Sequence, residues 1–121
     1  MTFYNFQGDP DCKSLKLGKF KTVNYAQDSI PIVTIIERTG NFQIERSEGL
    51  GVEYKFKIEW VSECSYKLIW LETIKDINNF GYPTNQILTI EITEIGSGFY
   101  QQIGSSNIIE QKFQGKVEIL E

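Results

Sequence analysis

Val52 to Lys75 reads VEYKFKIEWVSECSYKLIWLETIK, and its alternation decides the fold. In the first half the even positions are apolar (Val52, Tyr54, Phe56, Ile58, Trp60), while the odd positions between them are charged (Glu53, Lys55, Lys57, Glu59). Successive side chains on a strand point to opposite faces, so this segment has one dry face and one wet face. In the second half Tyr66, Leu68, Trp70 and Ile74 share a face, with Lys67 and Thr73 on the other; Ile69 and Leu71 blur that division. Ser62-Glu63-Cys64-Ser65 is a polar turn between the halves. The stretch predicts a long antiparallel hairpin with both tryptophans on its apolar side. Arms of about ten residues at roughly 3.4 Å each span about 34 Å, which is long for a strand. The rest of the chain must cover them.

Upstream, Thr39-Gly40-Asn41 is a tight turn joining a β-branched run, Ile30 to Arg38, to Asn41–Ser47. Pro31 belongs at the start or edge of the first of these. In the second, Phe42 and Ile44 alternate with Gln43 and Glu45. Leu17 to Tyr25 reads as the first strand, and Ala26 to Ser29 as a connection. Gly8-Asp9-Pro10-Asp11 is a turn signal, with Asp11 placed to cap a short helical turn through Cys12–Leu15. Downstream, Asp76 to Asn85 (DINNFGYPTN) is the longest loop. Strands follow at Gln86–Ile95, Phe99–Ser105 and Ile108–Leu120, separated by Gly96-Ser97-Gly98 and Ser105-Ser106-Asn107. In the last strand Ile109, Phe113, Val117 and Ile119 form the expected apolar face, and Gly115 marks a bend or bulge.

That makes eight strands, and no segment has helical periodicity beyond one or two turns. A meander of eight strands removes its two edges by closing. Eight is also the number at which a small barrel is filled by side chains or holds one small ligand. The expectation is an all-β chain: an eight-stranded antiparallel up-and-down barrel with at most a short N-terminal helical turn. A two-sheet sandwich is the alternative. Residues 1–121 read as a single domain, with 1–17 an N-terminal segment and 18–121 the barrel.

Composition agrees. Eight Phe, six Tyr and two Trp among 121 residues favour sheet over helix. The net charge is −4 and the 12 basic residues are scattered, so neither nucleic acid nor an anionic membrane surface is expected as a partner. No apolar run approaches the roughly 20 residues that span a bilayer as a helix, and no membrane insertion is expected. No basic stretch followed by an apolar one opens the sequence. The chain therefore reads as cytoplasmic, or as a secreted or periplasmic protein whose leader has been removed. Cys12 and Cys64 are the two cysteines. They are either buried free thiols or a disulfide tying the N-terminal segment to the hairpin turn, which implies an oxidising compartment.

The chemistry of enzymes is hard to find. The sequence has no His, which removes the commonest general base, the usual nucleophilic triads and any ordinary zinc site. No glycine-rich phosphate loop or calcium-loop spacing occurs. No cofactor, no metal and no catalytic residue is expected, and the protein is read as a non-enzyme.

Three groups of residues merit attention. Tyr54, Phe56, Trp60, Tyr66 and Trp70 line a ligand cavity or fill a core. Arg38, Gln43 and Glu45 flank the Thr39-Gly40-Asn41 turn. They form an inward polar cluster for a ligand head group or a solvated face with cross-strand ion pairs. Phe80 and Tyr82, in Phe80-Gly81-Tyr82-Pro83, are a portal lid or a cap on one barrel end. The leading functional expectation is a binder of a small apolar or amphipathic molecule. A filled barrel acting as a protein-interaction or structural module is second.

Gly18-Lys19-Phe20, after a helical turn, resembles the Gly-x-aromatic start of lipocalins and fatty-acid-binding proteins, the calycin-like barrels. The chain also resembles a set of small bacterial barrel proteins, usually secreted. Their pattern falls here on Cys12, Gly18, Phe20, Arg38, Gln43, Glu45, Trp60, Cys64 and Tyr66. The resemblance implies the barrel and a Cys12–Cys64 disulfide, and it implies no activity. The C-terminal Arg that packs over an early Trp in many lipocalins has no counterpart here.

Overall fold

A computed structural model describes residues 12–25 and 30–120. Eight antiparallel strands close into a barrel in sequence order. They are β1 (Gly18–Tyr25), β2 (Pro31–Thr39), β3 (Phe42–Ser47), β4 (Val52–Ser62), β5 (Ser65–Asp76), β6 (Ile87–Gly96), β7 (Phe99–Ser106) and β8 (Phe113–Leu120). A single 3₁₀ turn, Cys12–Leu15, precedes them. The predicted turn at Gly8–Asp11, the Asp11 cap and the Ala26–Ser29 connection lie outside the described residues.

The opening hairpin forms as its alternation demands. β4 pairs with β5 from Val52↔Asp76 to Ser62↔Ser65. Phe56, Ile58, Tyr66 and Leu68 are buried on its inner face. Its far end departs from strict alternation. Phe56 faces Trp70, Lys55 faces Glu72, Tyr54 faces Thr73 and Glu53 faces Lys75, so Leu71 and Ile74 are extra residues on β5. Each bulge shifts the phase by one residue. Thr73 therefore stands on the inner face opposite Tyr54, and Ile74 is exposed, the reverse of the expected assignment.

Arg38, Gln43 and Glu45 take the inward of the two arrangements open to them, and two expectations for the last strand are corrected. Gln43 is opposite Arg38 in the β2–β3 ladder, and facing residues share a side of the sheet. Arg38 and Gln43 are both buried, whereas Phe42 is exposed beneath the Lys55 ammonium. The inner face of β3 is thus Gln43, Glu45 and Ser47, not Phe42 and Ile44. The last strand begins at Phe113 rather than Ile108; Ile108 and Ile109 are exposed and outside any strand. Gly115 lies in regular register opposite Gln102, without a bulge.

Glycines hold the corners. Gly18 enters β1 at φ +129° and Gly40 turns β2 into β3 at φ +58°, both in the region where a Cβ is strained. The outer wall carries exposed ion pairs, Lys19–Glu37–Arg46, Lys21–Glu118 and Lys57–Glu59, each worth under about 1 kcal/mol. Among the described residues no helix is long and apolar enough to cross a membrane.

The barrel is tightly closed at one end. Cys12 and Leu15 of the 3₁₀ turn are fully buried beneath the wall. A disulfide joins Cys12 to Cys64 in the β4–β5 turn, with 5.3 Å between the Cα atoms. By contrast, the joint between the first and last strands is short. Among the described residues β1 and β8 share Lys19↔Leu120, Phe20↔Ile119 and Lys21↔Glu118. Beyond Lys21 and before Glu118 both strands continue, but no further pairs form between the described residues.

Candidate binding cavity

At the closed end, Arg38 is the hub. It is only 2% exposed, and all three of its nitrogens donate. Nε bonds Gln43 Oε1 at 2.8 Å, and Nη1 bonds the Leu15 carbonyl at 2.8 Å. Nη2 bonds the Tyr66 and Tyr100 hydroxyls at 2.7 and 2.6 Å. The guanidinium also lies over the Phe20 ring, 4.3 Å from its centroid. A buried cation is tolerated when it is hydrogen-bonded and stacked in this way. Phe20 is the aromatic of the Gly18-Lys19-Phe20 start, and it forms the floor together with Tyr100 at 5.9 Å. Burial pushes the Tyr66 phenol well above its usual range, with Arg38 pulling the other way. Tyr66 therefore stays a neutral hydroxyl.

Gln43 passes the network upward. Its Nε2 donates to Glu45 Oε2 at 2.7 Å. Glu45 is half-buried and lines a cavity of about 210 Å³ inside the barrel. Burial raises the Glu45 carboxyl above the usual range; the Gln43 hydrogen bond and the Arg38 charge oppose this less strongly. The cavity walls are mixed. Ile36, Leu68, Leu88 and Ile90 are apolar, while Thr22, Thr34, Gln43, Glu45 and Gln102 are polar.

The cavity reaches the outside through the seam between β1 and β8. Thr22 and Asn24 line it from β1. Phe113, Gln114, Gly115 and Lys116 line it from β8. Side chains alternate across a sheet, so four successive residues border one hollow only at an open strand edge. All four are exposed, and they lie where the β1–β8 ladder is missing.

The structure separates the ten residues expected to bind a ligand. Gln43, Glu45 and Tyr66 line the cavity, with Arg38 anchored behind them. Tyr54, Phe56 and Tyr82 form a separate aromatic cluster; Tyr82 lies 5.0 Å from Tyr54 and 5.3 Å from Phe56. The Asp76 carboxylate holds this loop by accepting the Phe80 and Gly81 amides at 2.9 and 2.8 Å. Burial raises the Tyr82 phenol, whose oxygen accepts from Gln86. Phe80 points outward and is 58% exposed. Trp60 packs on Tyr66 at 4.7 Å, with Lys16 over its ring; its indole N–H is buried without an acceptor among the described residues. Trp70 bonds Thr73. None of these six lines the cavity.

Sequence reasoning missed Thr22, Asn24, Thr34 and Gln102. A signal existed in β1, where Phe20, Thr22 and Asn24 share one face by period two. An inward aromatic followed by two inward polar residues marks a wall that stops being core. Two further depressions, of about 360 and 380 Å³, are present; the first is lined from β2, β3 and the loop after β3, and the second shares Leu88 and Phe113 with the cavity. Neither is lined by any of the ten residues. Among the described residues no three His, Cys, Asp or Glu side chains are grouped to hold a metal.

Comparison of the chain with protein-family models, curated proteins and solved structures finds no match.

Proposed function

We propose that this protein is a lipocalin-like, non-enzymatic binder holding one small amphipathic molecule inside its barrel. The observation that carries the reading is the cavity of about 210 Å³, walled partly by Ile36, Leu68, Leu88 and Ile90 and partly by Glu45 and its polar neighbours. Burial against the apolar wall supplies affinity at roughly 25 cal/mol per Å². A few fixed polar groups set orientation. The volume is small beside the roughly 300–1,000 Å³ of drug-sized sites. The occupant is accordingly a short molecule rather than a long-chain lipid, because the Arg38 network fills the end of the barrel that a long chain would need. The up-and-down topology and the Gly18-Lys19-Phe20 floor support the calycin-like reading. The Cys12–Cys64 disulfide supports an oxidising compartment outside the cytoplasm.

Native mass spectrometry of protein purified from its own source tests this. A small-molecule adduct is expected on the wild type. It should be lost in Leu88→Phe, which fills the cavity, while the melting temperature stays close to wild type. Repeated preparations without an adduct would overturn the reading. They would favour a barrel that acts through its surface, for which the exposed Ile77 and Phe80 are the support.

A further inference from the structure

The cavity has an uneven supply of charge. Arg38, its nearest buried cation, has every nitrogen engaged by Gln43, Leu15, Tyr66 and Tyr100. Lys116 borders the seam, but its ammonium lies over the Phe99 ring, 4.7 Å from the centroid. Glu45 differs. Oε2 accepts from Gln43, a carboxylate has room for about four acceptor bonds, and Glu45 lines the cavity. The other polar lining groups are neutral amides and hydroxyls. An anionic ligand would meet Glu45 with no uncommitted cation to offset it. A ligand that brings its own donor, best of all a charged one, completes Glu45 and gains a charge-assisted hydrogen bond.

We infer that the ligand carries an ammonium-type head group received by the Glu45 carboxylate, with a short apolar body against Ile36, Leu68, Leu88 and Ile90. This deepens the binder reading and rests on it. Gln43 is a positioning residue: clamped by Arg38, it holds the carboxylate in place. Around Glu45 stand Arg38 from β2, whose charge opposes the effect of burial, Tyr54 directly opposite on β4, and Tyr66 of β5 and Tyr82 of the loop after β5, both of which feel the Glu45 charge, with Lys116 of β8 at the cavity margin. Only Glu45 among them adds a negative charge near neutral pH.

The test uses three four-carbon probes: n-butylammonium, 1-butanol and butanoate. Each is titrated into the full chain at pH 8 and low salt and followed by amide chemical shifts. Butylammonium is expected to bind about tenfold or more tighter than butanoate, with the largest shifts at Gln43, Glu45 and Tyr66. In Glu45→Gln that preference should fall to near unity. A pH series on the wild type checks this without mutation. Affinity for butylammonium should drop as pH falls through the raised Glu45 pKa, while affinity for butanol stays level. Butanoate binding as tightly as butylammonium, or a preference that survives in Glu45→Gln or at low pH, overturns the inference and leaves the binder intact. Binding of none of the three overturns both.

Discussion

The floor and the seam of this barrel are built on opposite principles. At the floor, side chains from β1, β3, β5 and β7 and the carbonyl of Leu15 converge on Arg38 of β2, and a covalent bond ties the plug to the β4–β5 turn. At the seam, two strands run past each other with three residue pairs and then part. Closing a sheet thus takes two devices here: a hydrogen-bonded ladder, and a polar hub that grips several strands at once. Where the hub grips, the interior is full. Where it does not, the wall opens and a cavity remains.

Removing the hub is the most severe way to break that contrast. Arg38→Ala strands the Tyr66 and Tyr100 hydroxyls, Gln43 and the Leu15 carbonyl, and it leaves a void. It should cost about 4 to 5 kcal/mol in urea unfolding. A loss under about 1 kcal/mol would mean that the floor is no better held than the seam. Removing the covalent tie comes next. Cys12 and Cys64 are 52 residues apart, and Cys12→Ser with Cys64→Ser should cost about 3 to 4 kcal/mol.

The seam is sharpened by hydrogen exchange. The Ile119 amide donates to the Gly98 carbonyl on the β7 side. Donors alternate along an antiparallel strand, so the Val117 and Gly115 amides point to β7, and those of Lys116 and Gln114 point to the seam. Lys116 and Gln114 should exchange at least about a hundredfold faster than Val117 and Gly115. Equal protection would show a complete β1–β8 ladder and no opening.

The smallest effect is electrostatic. Burial raises the Glu45 pKa, so the folded chain holds that proton more tightly than the unfolded chain does. The stability this contributes is present below the ordinary carboxylate range and is lost as pH rises through the raised value. Wild type should therefore lose ground against Glu45→Gln in urea midpoints as pH rises from the ordinary carboxylate range through the raised Glu45 value. A constant gap would place Glu45 in ordinary solvent.

Much of this barrel was legible in its chain because period-two hydrophobicity and glycine turns are local signals. The hairpin from Val52, the turn at Gly40 and the start at Gly18 all follow from neighbouring residues. The bulges at Leu71 and Ile74 do not, since one extra residue changes the face of everything beyond it and leaves no compositional mark. In sequence the inside of β3 admits two readings, an inward polar cluster and a solvated face. Phe42 and Ile44 look like core and Gln43 and Glu45 like surface until Arg38 is known to be opposite Gln43 and buried. The site was half legible: Arg38, Gln43, Glu45 and Tyr66 were singled out, but the polar wall of Thr22, Asn24, Thr34 and Gln102 comes from three strands that only the closed topology brings together.

Strand order that copies chain order has a kinetic corollary. Seven of the eight pairings join successive strands, so each can zip from a nearby bend at little entropic cost. The eighth must bring together residues roughly a hundred positions apart, and three rungs are its whole reward. The ring should therefore shut last, with φ-values near zero at Phe20↔Ile119 and high values in the β4–β5 hairpin.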